Sequence, residues 1–505
     1  MNRKLEIVIT ELEVITQLRK VAAVLAWDQE TYMPSGSAQA RSEQIALVLS
    51  LAHARFTSDT FRQSLATLVD LDGGAIDRDG LDRSQVRLLE NIWHDWRRAT
   101  ALPVEFVGEL ARLTSQAQHV WQEARAQNDY ARFSPYLEKI IDMKRQEARF
   151  HGFEDEPYDA LLEDYEMGIT TKQIEQLFAD LQPALIELVG RIKSSKVPDR
   201  HALLTQEFPE DQQWEFGMEV LSDMGYDFTK GRQDRSAHPF TTDFHPSDVR
   251  ITTRLNSRDL SMGLFGSIHE GGHALYEQGL EAKYFGTPLC EAISLGSHES
   301  QSRLWENYVG RSMPFWRHYY PRLQARFPGQ LGAVPLDDFY AAINAVTPSL
   351  IRVEADEVTY NLHIMLRFDL ERALLNGDVT VKDLPGLWDQ AMAKYVGVTP
   401  STVAEGVLQD IHWGMGAIGY FPTYMLGNLY GRQIYEAALA QIDDLEERIA
   451  QGDLLTLREW LRDNVHRLGR LKRAGELIQD LTGQPLSAGP FIKYLRDKYE
   501  RLYDL

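Results

Sequence analysis

The chain is expected to be mostly α-helical, and three observations lead to that expectation. Windows with apolar residues at helical spacing follow one another along most of the 505 residues, separated by short Gly, Pro or Asp signals. Only one stretch, residues 240–255, is rich in β-branched residues and alternates with period two. No internal repeat, low-complexity tract or linker-like break interrupts the chain, so one large body or two interlocked helical halves is expected, although length alone suggests roughly three domains.

Taken in order, residues 4–26 place Leu5, Val8, Ile9, Leu12, Ile15 and Leu18 on one helical face, and the pattern is expected to stop in a turn-rich stretch from Trp27 to Gly36. Helical windows follow at about 37–54, 80–99, 103–127, 134–150 and 171–195. The period-two stretch then places Val249, Ile251 and Leu255 on one face of a strand, with Asp248, Arg250, Thr252 and Arg254 on the other. An edge strand of this kind could hold a peptide by adding it as a further strand, and an ordinary hairpin with a solvated polar face is the alternative. Further helices are expected near 297–312, 349–376, 423–450 and 488–503.

Acidic residues outnumber basic ones, 74 to 53, for a net charge of −21. That balance argues against nucleic acid or an anionic membrane as partner. Cys290 is the sole cysteine, so no intramolecular disulfide can form and a reducing compartment is expected. No stretch approaches the ~20 apolar residues of a membrane span, and the chain reads as cytoplasmic, without a signal peptide.

The chemistry is concentrated in Ser267–Glu277, which contains His-Glu-x-x-His at 269–273. Residues four apart on a helix share a face, so His269 and His273 can aim two imidazole nitrogens at one metal ion. Glu270, beside the open coordination position, can take a proton from the attacking water and hand it to the leaving amine. Gly271 and Gly272 would each cost a helix interior roughly 1 kcal/mol relative to alanine, which makes sense where another backbone or a ligand comes close.

A third ligand is needed, and Glu277, Glu281, Glu291 and Glu299 lie downstream. Glu299 is the best placed, because the Gly-Thr-Pro turn at 286–288 can fold a second helix back across the first. In the same run, His298 can support the site and Arg303, four residues after Glu299, can hydrogen-bond the ligating carboxylate; a surface ion pair is the alternative. Arg352 and Asp356, four apart on an expected helix, form either a site pair or a plain salt bridge. The glycine-rich stretch 406–424 brings together Gln409, His412, Tyr420 and Tyr424 and suits a flexible wall from which His412 or a tyrosine could stabilise an oxyanion.

The ordered words of the chain identify a resemblance. His238-Pro239-Phe240, the Asp-x-Arg-x-Thr word at Asp248, Arg250 and Thr252, His-Glu-x-x-His at 269–273, His-Glu-Ser-Gln at 298–301, Ile-Arg-x-x-Ala-Asp at 351–356 and Gly-x-x-Gln-Asp-x-His-Trp at 406–413 all occur in order. The sequence resembles the carboxypeptidase Taq family of zinc metallocarboxypeptidases. Residues 27–31 and 158–162 also look like the family, so the resemblance spans the chain. It implies a large helical body split by a deep cleft, with a small β-sheet, similar to neurolysin and angiotensin-converting enzyme, and it implies a homodimer. Carried over by position, His269, His273 and Glu299 would be zinc ligands and Glu270 the general base and acid. Two imidazoles, one carboxylate and an open tetrahedral position suit one zinc per chain, with cobalt as a substitute.

The expected activity is release of single residues from peptide C-termini with broad preference. An endo-oligopeptidase or dipeptidyl carboxypeptidase on the same scaffold is the rival, and the Gly-x-Met-Glu-Asn word of zinc aminopeptidases is missing. A catalytically dead peptide-binding scaffold is opposed by the intact glutamate and ligand set. An exopeptidase of this kind must bind the terminal carboxylate, for which Arg352 comes first, ahead of Arg250 and of Gln409 with His412.

Overall fold

A computed structural model describes residues 2–505. The chain is 67% helical with one three-stranded sheet, and among the described residues no helix is long and apolar enough to cross a membrane. It forms two compact units, each woven from three separated segments. The first takes the residues up to Thr100, His201–Ile343 and Ile434–Gln484, and the second Ala101–Arg200, Asn344–Gln433 and Pro485–Leu505.

In the first unit, helix Arg3–Thr31 buries Leu5, Val8, Leu12 and Ile15 against Phe56, Phe61, Leu89 and Leu289. This is the apolar stripe its spacing dictates. The helix does not stop at Trp27, where a turn was expected. Trp27 is buried and carries the Arg250 guanidinium 4.4 Å from its ring centroid, and Asp28 pairs with Arg41 of helix Ala38–Phe56 at 2.7 Å. These contacts hold one more turn, and the chain leaves the helix only before Pro34.

The sheet consists of β1 (Gly231–Arg235), β2 (Thr241–His245) and β3 (Asp248–Thr253) in the order β1-β3-β2, with β1 parallel and β2 antiparallel to β3. The stretch 240–255 is therefore an antiparallel pair, with β2 at the edge and β3, which carries the row from Asp248 to Thr252, in the centre, and Leu255 lies beyond it. Thr252 is fully buried, as are Val249 and Ile251, so the supposed polar row is not a solvated face. The missing neighbour is β1, whose Gly-Arg-Gln-Asp-Arg sequence carries no strand signal. Gly231 is obligatory there, because a Cβ would lie 2.0 Å from the Val249 carbonyl oxygen.

Helix Leu260–Gly279 starts on the Asp259 carboxylate, which accepts from the amides of Ser261 and Met262. Its side chains are buried on nearly every face, and helix Leu295–Arg303 packs on it. Gly272 makes that approach possible, and Gly271 makes room for helix Glu210–Asp223. A Cβ on Gly272 would lie 2.5 Å from the Gln301 carbonyl oxygen and 2.7 Å from Ser302 Cα, and one on Gly271 would strike Leu221. Backbone cannot yield as a flexible side chain does, so Gly272→Ala is expected to destabilise the first unit by about 1–3 kcal/mol, as overpacking does. A thermal melt of the purified variant checks this, and an unchanged melting temperature would show that the helices can separate freely. The expected helix at 297–312 becomes helix Leu295–Arg303 followed by a π-helical turn, Leu304–Val309.

In the second unit, helices Val104–Gln127, Tyr130–His151 and Thr171–Ser194 match the expected windows to within a few residues. The window 349–376 holds a true helix only from Thr359 to Asn376. Residues 352–354 form a single 3-10 turn, and the Asp356 carboxylate accepts from the amides of Val358 and Thr359 and from the Thr359 hydroxyl. An aspartate before a helix is drawn to those orphan amides. The window 423–450, which passes into the first unit at Ile434, is likewise broken, into Pro422–Gln441 and Leu445–Ala450, with Asp444 left-handed between them at φ 56°. Helix Gly489–Leu502 packs on Thr171–Ser194.

Candidate active site

In the first unit, His269 Nε2 and His273 Nε2 both face one oxygen, Oε2 of Glu299, at 3.7 and 3.4 Å. One ligand atom from each of the three residues lies within 4.8 Å of the others. Ligand atoms held about 2.0–2.1 Å from a tetrahedral ion stand roughly 3.3–3.4 Å apart. The three residues therefore fit a single divalent ion.

Their surroundings fix each ring and carboxylate. Glu306 Oε2 lies 2.9 Å from His269 Nδ1, leaving Nε2 for the ion, and Arg303 bridges the two acids, donating to Glu299 Oε1 at 2.7 Å and to Glu306 Oε2 at 3.2 Å. Glu299, Arg303 and Glu306 fall at i, i+4 and i+7, one face of the chain. Burial opposes charge on the two carboxylates, yet the Arg303 guanidinium and His269 outweigh it, holding Glu299 well below the usual carboxylate range and Glu306 at about 2. His298 stacks on His273 with ring centroids 4.3 Å apart, and its Nε2 lies 2.9 Å from Glu277 Oε1. Glu277, weighed as a ligand, thus supports His298 instead.

Glu270 is buried, and its Oε2 accepts a 2.6 Å hydrogen bond from the Thr241 hydroxyl of β2. Burial raises its pKa, so its affinity for a proton exceeds that of an exposed glutamate.

Of the remaining expected residues, Arg352, Gln409, His412, Tyr420 and Tyr424 lie in the second unit, near Asp410. Its Oδ1 accepts from Arg352 Nε and a terminal guanidinium nitrogen at 3.0 and 2.9 Å, and its Oδ2 accepts from Arg367 Nε at 2.7 Å. Arg352 does not pair with Asp356, because Asp356 is turned toward the helix amides described above. Its remaining terminal nitrogen donates to the Tyr360 hydroxyl at 3.0 Å. Two guanidiniums share one carboxylate, which leaves one positive charge over in a buried setting. His412 Nδ1 stands 3.9 Å from Asp410 and its Nε2 3.2 Å from the Tyr424 hydroxyl, while the Tyr420 ring lies 5.3 Å away between centroids. Burial holds His412 down to about 4, so it is neutral at pH 7.

Two expected substrate contacts are otherwise engaged. Gln409 accepts from the Arg352 amide and donates to the carbonyls of Leu350 and Glu405, so its amide pins backbone. The Arg250 fork is closed by Asp248, two bonds of 2.9 Å, and stacked on Trp27 and Phe244. Gln409 thereby supports the backbone around Arg352, while Arg250 keeps one terminal nitrogen outside its bonds to Asp248. The 406–424 segment is irregular as expected but firmly held: Val407, Leu408, Trp413, Ile418 and Phe421 are buried.

No motif in the sequence singled out Thr241, Glu306 or Arg367. Glu306 was findable, since it continues the Glu299–Arg303 spacing by one turn. Thr241 had no signal, because its role depends on β2 meeting helix Leu260–Gly279 far along the chain.

The profile of the family described as Carboxypeptidase Taq (M32) metallopeptidase matches residues 8–499. The chain is 42% identical over 500 residues to Thermostable carboxypeptidase 1 of Thermus thermophilus, with 96% of each chain covered. It is 38% identical over 492 residues to Carboxypeptidase 1 of Bacillus subtilis, with 97% of each covered. Against the crystal structure of a carboxypeptidase from Deinococcus radiodurans the TM-score is 0.95 at 40% identity, over 100% of both chains. With the match running end to end and the two histidines, Glu299 and Glu270 assembled as described, the chain belongs to the carboxypeptidase Taq family of metallopeptidases.

Proposed function

We propose that this metallocarboxypeptidase holds one zinc ion on His269, His273 and Glu299 and releases single residues from the C-termini of peptides with broad preference. The observation that carries the reading is the convergence of two imidazole nitrogens and one carboxylate oxygen beside a buried glutamate. Two neutral nitrogens and one oxygen with an open fourth position suit zinc, and cobalt can replace it. When bound, the ion polarises the scissile carbonyl and makes water a better nucleophile.

The protein's own groups do the rest. Glu270 accepts the proton of the attacking water and delivers it to the departing amine, with Thr241 holding the carboxylate in one orientation. His412 and Tyr420 are donors to the oxygen on which negative charge develops, and Tyr424 orients His412 through its hydroxyl. Arg352, whose cluster carries one uncompensated positive charge, receives the terminal carboxylate of the peptide. The homodimer and the reducing, cytoplasmic setting belong to the same reading, the first resting on the family resemblance and the second on Cys290 being the sole cysteine.

One assay tests metal and exopeptidase specificity together. Chelator dialysis should abolish hydrolysis of an N-blocked peptide, and zinc or cobalt should restore it. The same peptide with an amidated C-terminus should be cleaved poorly. Full activity in metal-free protein, or equal cleavage of free and amidated peptides, would overturn the reading.

A further inference from the structure

Helix Thr359–Asn376 is buried along nearly its whole length, yet it carries His363, Arg367 and Glu371 four residues apart on one face. Arg367 is committed to Asp410. Glu371 is fully buried and is met by three neutral donors. Its Oε1 accepts from the Trp413 indole at 2.8 Å, and its Oε2 accepts from the Tyr158 hydroxyl at 2.8 Å and the Gly419 amide at 3.1 Å. Trp413 directly follows His412, and Gly419 directly precedes Tyr420. A single carboxylate thus grips the loop at both ends, one residue from each proposed oxyanion donor.

The loop's own turn bonds, from the amides of Gly416 and Ala417 to the carbonyls of Trp413 and His412, stop short of Gly419. Between the two grips run Gly414, Met415, Gly416, Ala417 and Ile418, with Gly416 at φ 71° and Gly419 at φ 95°, and glycine fixes backbone poorly. Gly419 also faces the Leu161–Leu162 backbone, where a Cβ would come within 3.2 Å. We propose that Glu371 is a positioning residue of the peptidase reaction, setting the separation and orientation of His412 and Tyr420 through Trp413 and Gly419. This role rests on the reading of those two residues as donors to the oxyanion.

The chemistry favours a carboxylate at this position over any packing residue. Burying a carboxylate among neutral groups is costly, and a leucine would fill the space without that cost if packing were the only requirement. Three donors converging on two oxygens require an acceptor on each side. A glutamine offers one oxygen, and its NH2 would face a donor on the other side, so one grip must open. Burial pushes the Glu371 carboxyl up to about 7, even against the Gly419, Tyr158 and Trp413 bonds and the Arg367 charge, which all lower it.

The test compares Glu371→Gln with wild type in zinc-loaded enzyme, on a short N-blocked peptide. Opening a grip displaces a donor by a fraction of an ångström to an ångström, so kcat should fall by about 10- to 100-fold, with KM within about 3-fold and zinc content unchanged. Tyr420→Phe should cost less in the Glu371→Gln background than in wild type, because the donor it removes is already misplaced. A merely structural role would leave the two losses independent, and that outcome, or a wild-type kcat in Glu371→Gln, would overturn the proposal. Trp413→Phe, which deletes one grip and keeps the ring, carries the same comparison if Glu371→Gln does not fold. Wild-type kcat in both Tyr420→Phe and His412→Ala would overturn the underlying reading, and the role of Glu371 with it.

Discussion

Replacing Glu270 with glutamine is expected to lower kcat by at least about 100-fold, the usual scale of a lost general base, while the protein keeps its metal. Glu270 is not among the three residues whose ligand atoms converge, so the donor set for the ion is untouched. Its Oε2 accepts from Thr241, and a glutamine oxygen can accept the same bond, so the side chain stays in place. What disappears is the ability to take up a proton, which the buried carboxylate does more readily than an exposed one because desolvation raises its pKa. Metal content by mass spectrometry and turnover on an N-blocked peptide are the two measurements. A variant that binds one ion per chain and turns over at the wild-type rate would remove Glu270 from the mechanism.

The second large effect belongs to Glu299→Ala, which should strip the ion and with it essentially all activity. Glu299 supplies the oxygen on which both histidine nitrogens converge, and without it only two imidazoles remain. The variant also takes from Arg303 one of its two acidic partners, leaving Glu306 alone to balance it. Glu306→Gln should be milder, about 10- to 100-fold in metal affinity, because it removes an outer partner of His269 rather than a ligand. The ordering separates the roles: a Glu299→Ala protein that holds zinc at wild-type affinity, or a Glu306→Gln protein that loses it outright, would reverse the assignment.

How much of this was legible in the chain depended on the reach of each interaction. The helices were legible because Leu5, Val8, Leu12 and Ile15 repeat at 3.6 residues, and the pair His269 and His273 because four residues make one turn. Glu299 and Arg303 were legible for the same reason. The true partner of Arg352 was hidden: Asp356 is near in sequence, Asp410 is 58 residues away, and periodicity carries no information about the second. The central place of β3 was hidden because β1 has no β-branched residues, and a strand that is buried by its neighbours need not announce itself. Asp356 was misread because the same spacing that permits a salt bridge also permits a helix cap, and the amides bound it first.

The weaving of each unit from three separated segments bears on how the protein is made. Synthesis at about 5–20 residues per second implies roughly 25–100 s for a chain of this length, and neither unit is complete until the last fifth has emerged. The first unit must wait for Ile434–Gln484 and the second for Pro485–Leu505, so apolar faces made earlier, such as that of helix Leu260–Gly279, await partners such as helix Leu455–Asn464 that are still on the ribosome. Contacts this distant in sequence close slowly. Protection by chaperones during synthesis, rather than domain-by-domain folding, is the regime this connectivity imposes, and no single cut in the chain would release either unit as a self-sufficient fragment.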